Sequence, residues 1–167
     1  IFGRECFRNE IIWRYRRWPT RSRAFQRMHD VLFRYVRNHR ARWRWNQLFE
    51  PLSPRTVAIH GTKKQRHTIT EKGRKWGAQV ASDAEDSPGA YLSDVWEIGV
   101  IAPKSRERAW PTQKPTDLAA RVILACSDPG DVVLDPWSGG GTFVSVAVEH
   151  DRRGIGIDQS PLAVELG

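Results

Sequence analysis

Residues 132–158 read VVLDPWSGGGTFVSVAVEHDRRGIGID, and this stretch decides the fold. The apolar run at residues 132–134 predicts a short strand that is covered on both faces. A glycine loop follows, residues 142–150 predict a helix, and residues 154–158 predict a second buried strand. A strand, a helix and another apolar strand in this order form a β-α-β unit, which favours a parallel α/β sheet.

The loop between the first strand and the helix indicates a ligand site. Gly139–Gly141 let the backbone turn sharply and approach a ligand, and the following helix N-terminus suits a carboxylate. Asp158 lies 19 residues after Gly139, the spacing at which nucleoside-binding units place an acid for ribose hydroxyls. A P-loop is excluded because no Gly-Lys-Ser/Thr follows. A dinucleotide site lacks its third glycine, since Val144 stands there. A tight turn without a ligand is the alternative; the combination favours a nucleoside cofactor.

The rest of the chain divides into three kinds of segment. Residues 9–17 and 29–37 are rich in β-branched and aromatic side chains and predict two antiparallel strands, with a helix as the alternative for the second. Residues 38–90 predict irregular structure with a few short elements, including a flexible linker at residues 81–88. Residues 92–98 predict a strand. Thr116 is predicted to cap a helix over residues 117–125, and a turn is predicted at residues 127–131.

Charge is distributed unevenly along the chain. Residues 1–80 hold 20 Lys and Arg against 5 Asp and Glu, whereas residues 81–167 hold 7 against 14. Aromatic residues are interleaved with the arginines, as in Trp13–Trp18 and Arg42–Trp45. Arginine forks bind phosphates and bases, and aromatic faces stack on unpaired bases, so the basic half is predicted to bind nucleic acid. A solvated basic surface with packed tryptophans is the alternative.

Several classes of protein are disfavoured by composition. No apolar run approaches the ~20 residues of a membrane helix, and the N-terminus has no signal-peptide core. Cys6 and Cys126 are far apart, so neither a disulfide framework nor a zinc motif is predicted, and no metal is expected. A reducing cytoplasm is the expected location.

Several motifs in this order resemble one family. Residues 111–115 read PTQKP, residues 129–136 read PGDVVLDP, residues 139–142 read GGGT and residues 154–158 read GIGID. Upstream, residues 7–13 read FRNEIIW, residues 29–32 read HDVL and residues 93–97 read SDVWE. Together they are similar to the circularly permuted beta type of site-specific DNA adenine-N6 and cytosine-N4 methyltransferases. The resemblance spans nearly the whole chain and implies a partial Rossmann-like methyltransferase sheet, of α/β class, with an irregular basic recognition insert.

The resemblance also assigns residues. It implies that S-adenosylmethionine is the cofactor, with its methionine end near the glycine loop, its ribose on Asp158 and residues 113–115 closing the pocket. The implied cofactor-binding residues are Gln113, Lys114, Pro115, Asp135, Pro136, Trp137, Gly139, Gly140, Gly141, Thr142 and Asp158. Basic residues expected to anchor the phosphates of double-stranded DNA are Arg14, Arg16, Arg17, Arg42 and Arg44. The implied organisation is 1–37 for strands of the catalytic subdomain, 38–90 for target recognition and 91–167 for cofactor binding.

Three substitutions and one absent motif depart from the family pattern. Trp110 and Trp137 stand where His and Phe are usual, and Gly140 stands where Ser is usual, which is expected to loosen the loop. The family's Asp/Asn/Ser-Pro-Pro-Tyr/Phe catalytic motif does not occur, so no catalytic residue is assigned in this chain. We expect a fragment truncated at both ends, marginally stable and inactive alone.

The expected reaction of the whole enzyme is direct methyl transfer to an exocyclic amine of a flipped base, with adenine N6 favoured over cytosine N4. A restriction endonuclease is a possible partner, and the sequence does not reveal whether one exists. Alternatives are a methyltransferase for RNA or a small molecule, a non-catalytic nucleic-acid-binding module, and a decayed remnant. The sequence does not reveal the target site or the oligomeric state.

Overall fold

A computed structural model of the chain describes residues 3–21, 23–64, 68–70, 73–75, 85–106 and 108–166, the short strands at 68–70 and 73–75 as backbone. Residues 81–84 of the predicted linker lie outside this range. The chain forms two compact units, one of residues 1–46 with 93–167 and the other of residues 47–92. The predicted recognition region, 38–90, therefore covers most of the second unit and the last residues before it.

The elements follow the α/β pattern. The nine strands of the described residues are β1 (Phe7–Arg14), β2 (His29–Tyr35), β3 (Phe49–Glu50), β4 (Thr68–Thr70), β5 (Gly73–Lys75), β6 (Ala90–Tyr91), β7 (Val95–Glu97), β8 (Val132–Asp135) and β9 (Arg153–Gly156). The α-helices of the same residues are α1 (Pro54–His60), α2 (Thr116–Cys126), α3 (Thr142–Glu149) and α4 (Pro161–Leu166).

The first unit contains a three-stranded sheet of order β2-β1-β7. β1 pairs antiparallel with β2 from Phe7 opposite Tyr35 to Arg14 opposite His29, and parallel with β7. Both strand predictions and their pairing are confirmed, and the helical alternative for residues 29–37 is wrong. Trp13 is buried and its indole N–H donates to the carbonyl of Ile98 at 2.8 Å, so the aromatic residue that favours the strand also fixes it.

Helix α2 begins at the expected position with a different cap. The prediction of Thr116 as the N-cap is wrong, because Pro115 holds that position, with extended backbone at φ −62°. The carbonyl of Pro115 accepts from the backbone N–H groups of Leu118 and Ala119, which is what an N-cap carbonyl does. The apolar side of α2 then packs against α3, and the core they share consists of Ala119, Ile123, Val146 and Ala147.

The predicted β-α-β unit is confirmed. β8 and β9 pair in parallel, with Leu134 opposite Ile155, and α3 connects them. Two glycines hold β9 close to α3, since a Cβ on Gly154 would lie 2.8 Å from the carbonyl oxygen of Val144 and one on Gly156 would lie 3.0 Å from its side chain.

The prediction that both faces of the first buried strand are covered is wrong. Val133 packs on the core, but the neighbouring Leu134 is 56% exposed and its partner Ile155 is 49% exposed. Alternation along a strand sends these side chains to the face opposite Val133, where the described residues provide no covering element.

The second unit is built from short elements, as predicted for residues 38–90. β3 pairs antiparallel with β6, and β4 with β5. Helix α1 is capped by Ser53, whose hydroxyl accepts from the N–H of Thr56 at 3.0 Å, and its C-cap is Gly61 with φ 69°. Within the described part of the chain, no helix has the length and apolar character needed to cross a bilayer.

Candidate functional site

The glycine loop joins β8 to α3, and its backbone requires glycine at two positions. Gly139 has φ 51° and Gly141 has φ 74°, both in the left-handed region that side chains disfavour. Gly141 is the N-cap of α3 and offers no side-chain acceptor to the helix. The first turn of α3 therefore depends on the solvent or a ligand to satisfy its N–H groups.

The N–H groups of this loop divide into used and free donors. Gly139 donates to a carboxylate oxygen of Asp158 at 2.9 Å, and Gly141 donates to the carbonyl of Ser138 at 2.9 Å. Within the described residues, the N–H groups of Gly140, Thr142 and Phe143 have no hydrogen-bond acceptor. Free donors in the loop and in the first turn of the helix after it are suited to an anion such as a carboxylate.

Asp158 lies just after β9 and organises this loop. One carboxylate oxygen accepts from Gly139, and the other accepts from the N–H of Ser160 at 2.9 Å. These N–H groups, Ser160 first and Gly139 second, hold the pKa of Asp158 below its usual value, so the side chain is ionised at neutral pH. Each carboxylate oxygen can accept more than one hydrogen bond, so both oxygens of Asp158 have capacity left for hydroxyl donors of a ligand.

Asp135, the last residue of β8, is held in a similar way. One of its oxygens accepts from the N–H of Trp137 at 3.0 Å. The chain therefore turns out of the strand at Pro136, and the second oxygen of Asp135 is left for a ligand. Trp137 follows this turn and its side chain is 85% exposed.

A cavity of about 240 Å³ lies against the loop. The predicted cofactor residues in its lining are Gln113, Lys114, Asp135, Trp137, Gly139, Gly140 and Thr142. Four predicted residues do not line it: Pro115 caps α2, Pro136 forms the turn after Asp135, Gly141 caps α3, and Asp158 bonds to the loop. The residues that sequence reasoning left out of the site are Trp110, Thr112, Ser138 and Phe143.

Trp110 packs against the glycine loop and lines the same cavity. A Cβ on Gly139 would lie 3.0 Å from the indole ring, and a Cβ on Gly140 would lie 2.9 Å from the Cβ of Trp110. Trp110 therefore occupies the space that a serine side chain would take at Gly140, and the expected loosening of the loop stays a prediction. The signal for Trp110 was its position directly before the PTQKP motif.

Gln113 has a positioning role in this structure. Its side-chain oxygen accepts from the N–H of Ala109 at 2.7 Å and from the N–H of Trp110 at 3.3 Å. Its own backbone N–H donates to the carbonyl of Trp110 at 3.1 Å. The amide oxygen, an acceptor used twice, thus fixes the segment that carries Trp110.

The arginines predicted to bind DNA are not gathered in one place. Arg16 and Arg17 line a cavity of about 820 Å³ together with Trp18 and Lys114. The guanidinium of Arg17 also stacks on Tyr15 at 4.9 Å. Arg14 is exposed and forms an ion pair with Glu97.

Arg42 and Arg44 lie in a second group, and part of this group makes contacts within the protein. Arg44 forms ion pairs with Asp128 at 2.5 Å and Asp131 at 3.8 Å. The neighbouring Trp43 and Trp45 stack with the guanidinium of Arg34 at 4.9 and 4.2 Å. Much of the arginine–aromatic pattern around residue 44 therefore stabilises the protein's own structure. Arg42 is exposed.

One set of three residues in the described part of the chain has the composition of a metal site. Glu5, Cys6 and His39 place ligand atoms within 4.8 Å of one another. However, Arg40 donates a hydrogen bond to Nε2 of His39 at 3.3 Å, and the thiol of Cys6 faces the carbonyl of Arg37 at 3.8 Å. Groups already engaged next to a permanent positive charge are poor ligands for a cation, so this cluster supports no metal assignment. Cys6 and Cys126 are both free.

Comparison with known proteins identifies the family. All of residues 1–167 match the family model described as DNA methylase, and the chain therefore belongs to this family of N6/N4 DNA methylases. It is 44% identical over 79 residues to the type II methyltransferase M.HpaI of Haemophilus parainfluenzae, a match that covers 47% of this chain and 25% of the relative. It is 47% identical over 57 residues to the DNA adenine methyltransferase YhdJ of Escherichia coli K12, covering 34% and 19%. The matched segments thus span about a quarter or less of these two relatives.

Solved structures share the fold. The complex of M1.HpyAVI with SAM superimposes with a TM-score of 0.55 at 20% identity, over 96% of this chain and 59% of the other. The putative DNA modification methylase TTHA0409 of Thermus thermophilus, in complex with S-adenosyl-L-methionine, gives 0.54 at 19% identity, over 96% and 50%. The predicted α/β methyltransferase fold with a partial sheet is confirmed.

Proposed function

We propose that this chain carries the S-adenosylmethionine site of a DNA methyltransferase that modifies an exocyclic base amine, with adenine N6 favoured. The observation that carries the proposal is the glycine loop, where three free N–H donors adjoin a cavity and the carboxylate of Asp158 is bonded to the same loop. Family membership supports the reaction class, and the two solved relatives named with this cofactor support its identity.

The groups present fit this cofactor. The free N–H groups of Gly140, Thr142 and Phe143 suit its carboxylate, and the spare acceptor capacity of Asp158 suits its ribose hydroxyls. The negative charge of Asp135 suits the ammonium end of an amino acid group, and the positive charge of the Lys114 side chain suits its carboxylate end. When bound, S-adenosylmethionine supplies a sulfonium methyl group, which the base amine takes up as it loses a proton. We assign no catalytic residue in this chain.

DNA is the proposed substrate, and double-stranded DNA the proposed partner. Arg16 and Arg17 are exposed beside a large cavity, and Trp18 at the same place is 91% exposed. Such a pairing of cations with an uncovered aromatic ring suits phosphates and a base that has left the helix. The unit of residues 47–92 is proposed to belong to the target-recognition region. A restriction endonuclease partner and a cytoplasmic location are part of the same proposal.

Calorimetric titration of S-adenosylmethionine into the chain tests the cofactor site. We expect the wild-type chain to bind and Asp158→Asn, which keeps one acceptor oxygen but loses the charge, to bind about tenfold more weakly or worse. The matched control is Asp151→Asn, since Asp151 is an exposed acid at the other end of β9 and asparagine tolerates its φ of 64°.

Near-ultraviolet circular dichroism of each variant shows whether it is folded. A folded wild-type chain that does not bind the cofactor would contradict the proposal and favour a non-catalytic nucleic-acid-binding module. Equal weakening in the two Asp→Asn variants would mean that the loss is not specific to the loop.

A further inference from the structure

Gly140 has one neighbour that forbids a side chain. The three nearest heavy atoms to a Cβ built on it are the Cβ of Trp110 at 2.9 Å, its Cγ at 3.7 Å and its backbone nitrogen at 3.8 Å. Gly140 has no positive φ, so a left-handed backbone is not the reason for glycine there. The requirement for glycine at this position therefore comes from Trp110.

Trp110 has the placement of a residue that closes a pocket. It lines the 240 Å³ cavity opposite the glycine loop, together with Asp135 and Lys114. Its indole N–H donates to no acceptor among the described residues, although the ring is partly buried against Gly139. The indole N–H is therefore free to donate to a ligand in the cavity.

The segment that carries Trp110 is also held firmly. Gln113 accepts from the N–H of Trp110, and both Gln113 and Arg108 donate to its carbonyl, at 3.1 and 3.4 Å. Because the segment is fixed on this side, a new side chain at Gly140 cannot be accommodated by a small local movement of Trp110.

We propose that Trp110 is a cofactor-contacting residue that closes the methionine end of the pocket, and that Gly140 is the partner that makes room for it. This inference rests on the proposed function. It makes the two residues a coupled pair, because Gly140 needs to be without a side chain only when residue 110 carries a Cβ.

A double-mutant cycle tests the coupling. The variants are Gly140→Ala, Trp110→Gly and the combination of both, and the readouts are the thermal midpoint of the chain and its dissociation constant for S-adenosylmethionine. In the presence of Trp110, we expect Gly140→Ala to lower the midpoint by about 3 °C or more and to weaken binding about tenfold. In the Trp110→Gly background, the same change should have little effect on either quantity, because the Cβ of residue 110 is gone.

Gly99→Ala is the matched control, since a Cβ at Gly99 meets no atom within 4 Å. It should leave both readouts unchanged. If Gly140→Ala has the same effect with and without Trp110, the coupling is absent and the proposal fails.

Trp110→Phe separates a cofactor contact from a packing role. It keeps an aromatic ring over the loop and should bind the cofactor within a few-fold of wild type, whereas Trp110→Gly should bind about tenfold more weakly or worse. Wild-type affinity in a folded Trp110→Gly chain would overturn the cofactor contact. Failure of the wild-type chain to bind would overturn the proposed function and the cofactor contact together, and the thermal midpoints would then still decide whether the two residues are coupled.

Discussion

The glycine loop and the arginine-rich segment at residues 42–46 differ in how far their polar groups are paired within the protein. In the loop, the N–H groups of Gly140, Thr142 and Phe143 have no acceptor among the described residues. In the segment, Arg44 is paired with two aspartates, and the side-chain amide of Asn46 donates to the carbonyls of Leu124 and Ser127 and to Asp128. Polar groups left without a partner in a shaped cavity mark a ligand site, whereas satisfied ones hold the chain together.

The same contrast separates the arginines. Arg16 and Arg17 form no ion pair with an acid among the described residues and lie beside an exposed tryptophan, whereas Arg44 has its charge neutralised by Asp128 and Asp131. Residues of the same type, equally basic in sequence, thus have different amounts of charge available for DNA.

The largest effect that would sharpen this comparison is on DNA affinity. Arg16→Ala combined with Arg17→Ala should weaken DNA binding about tenfold at moderate salt and should lower the slope of log affinity against log salt by about 2, because two phosphate contacts are lost. Fluorescence anisotropy with a labelled duplex at several salt concentrations measures both. Arg44→Ala serves as the control. An equal loss of slope for Arg44→Ala as for a single Arg16→Ala would mean that the paired and unpaired arginines do not differ.

A smaller effect is expected on the stability of the chain, and it comes from Arg44. Arg44→Ala should lower the free energy of unfolding by about 0.2–1 kcal/mol, since its ion pairs are partly exposed to solvent. That corresponds to a fall of about 0.5–4 °C in the thermal midpoint by differential scanning calorimetry. Arg16→Ala should leave the midpoint unchanged. A larger fall for Arg16→Ala than for Arg44→Ala would reverse the assignment of the two residues.

The smallest effect is expected on the stability of the chain at acid pH. Backbone N–H groups lower the pKa of Asp158 in the folded state below its value of about 4 in an unfolded chain. Its carboxylate therefore stabilises the fold above that pH, and this contribution is lost as the pH falls through the lowered folded pKa. The thermal midpoint of the wild-type chain should fall more steeply between about pH 5 and pH 3 than that of Asp158→Asn. Parallel curves would show that the carboxylate adds nothing to the stability of the loop.

Local sequence predicted those parts of the structure that depend on near neighbours. β1 and β2 follow from runs such as Ile11–Trp13, and the β-α-β unit follows from apolar strands joined by a glycine loop. The acid at Asp158 lies beside Gly139 because strand and helix lengths fix the end of β9 next to the loop. In these cases the chain has little freedom between the residues that meet.

Contacts between distant segments could not be predicted in the same way. The position of Trp110 over Gly140 and the pairing of Arg44 with Asp128 join residues that are far apart in sequence, and nothing in either segment alone indicates them. The exposed face of Leu134 was missed for a related reason, because an apolar strand shows that it suits burial and not which side is covered. Thr116 failed as a cap since Pro115, one residue earlier, already has the extended backbone of that position.

The two glycines of β9 have a consequence for protein engineering. Gly154 and Gly156 bring the strand so near to Val144 of α3 that the spacing between the two elements depends on both of their sequences. In recombination between relatives, α3 and β9 should therefore be inherited as one block. A crossover placed between them would combine a strand and a helix that suit different spacings. We expect such a chimera to lose first the hydrogen bond by which Asp158 anchors the glycine loop.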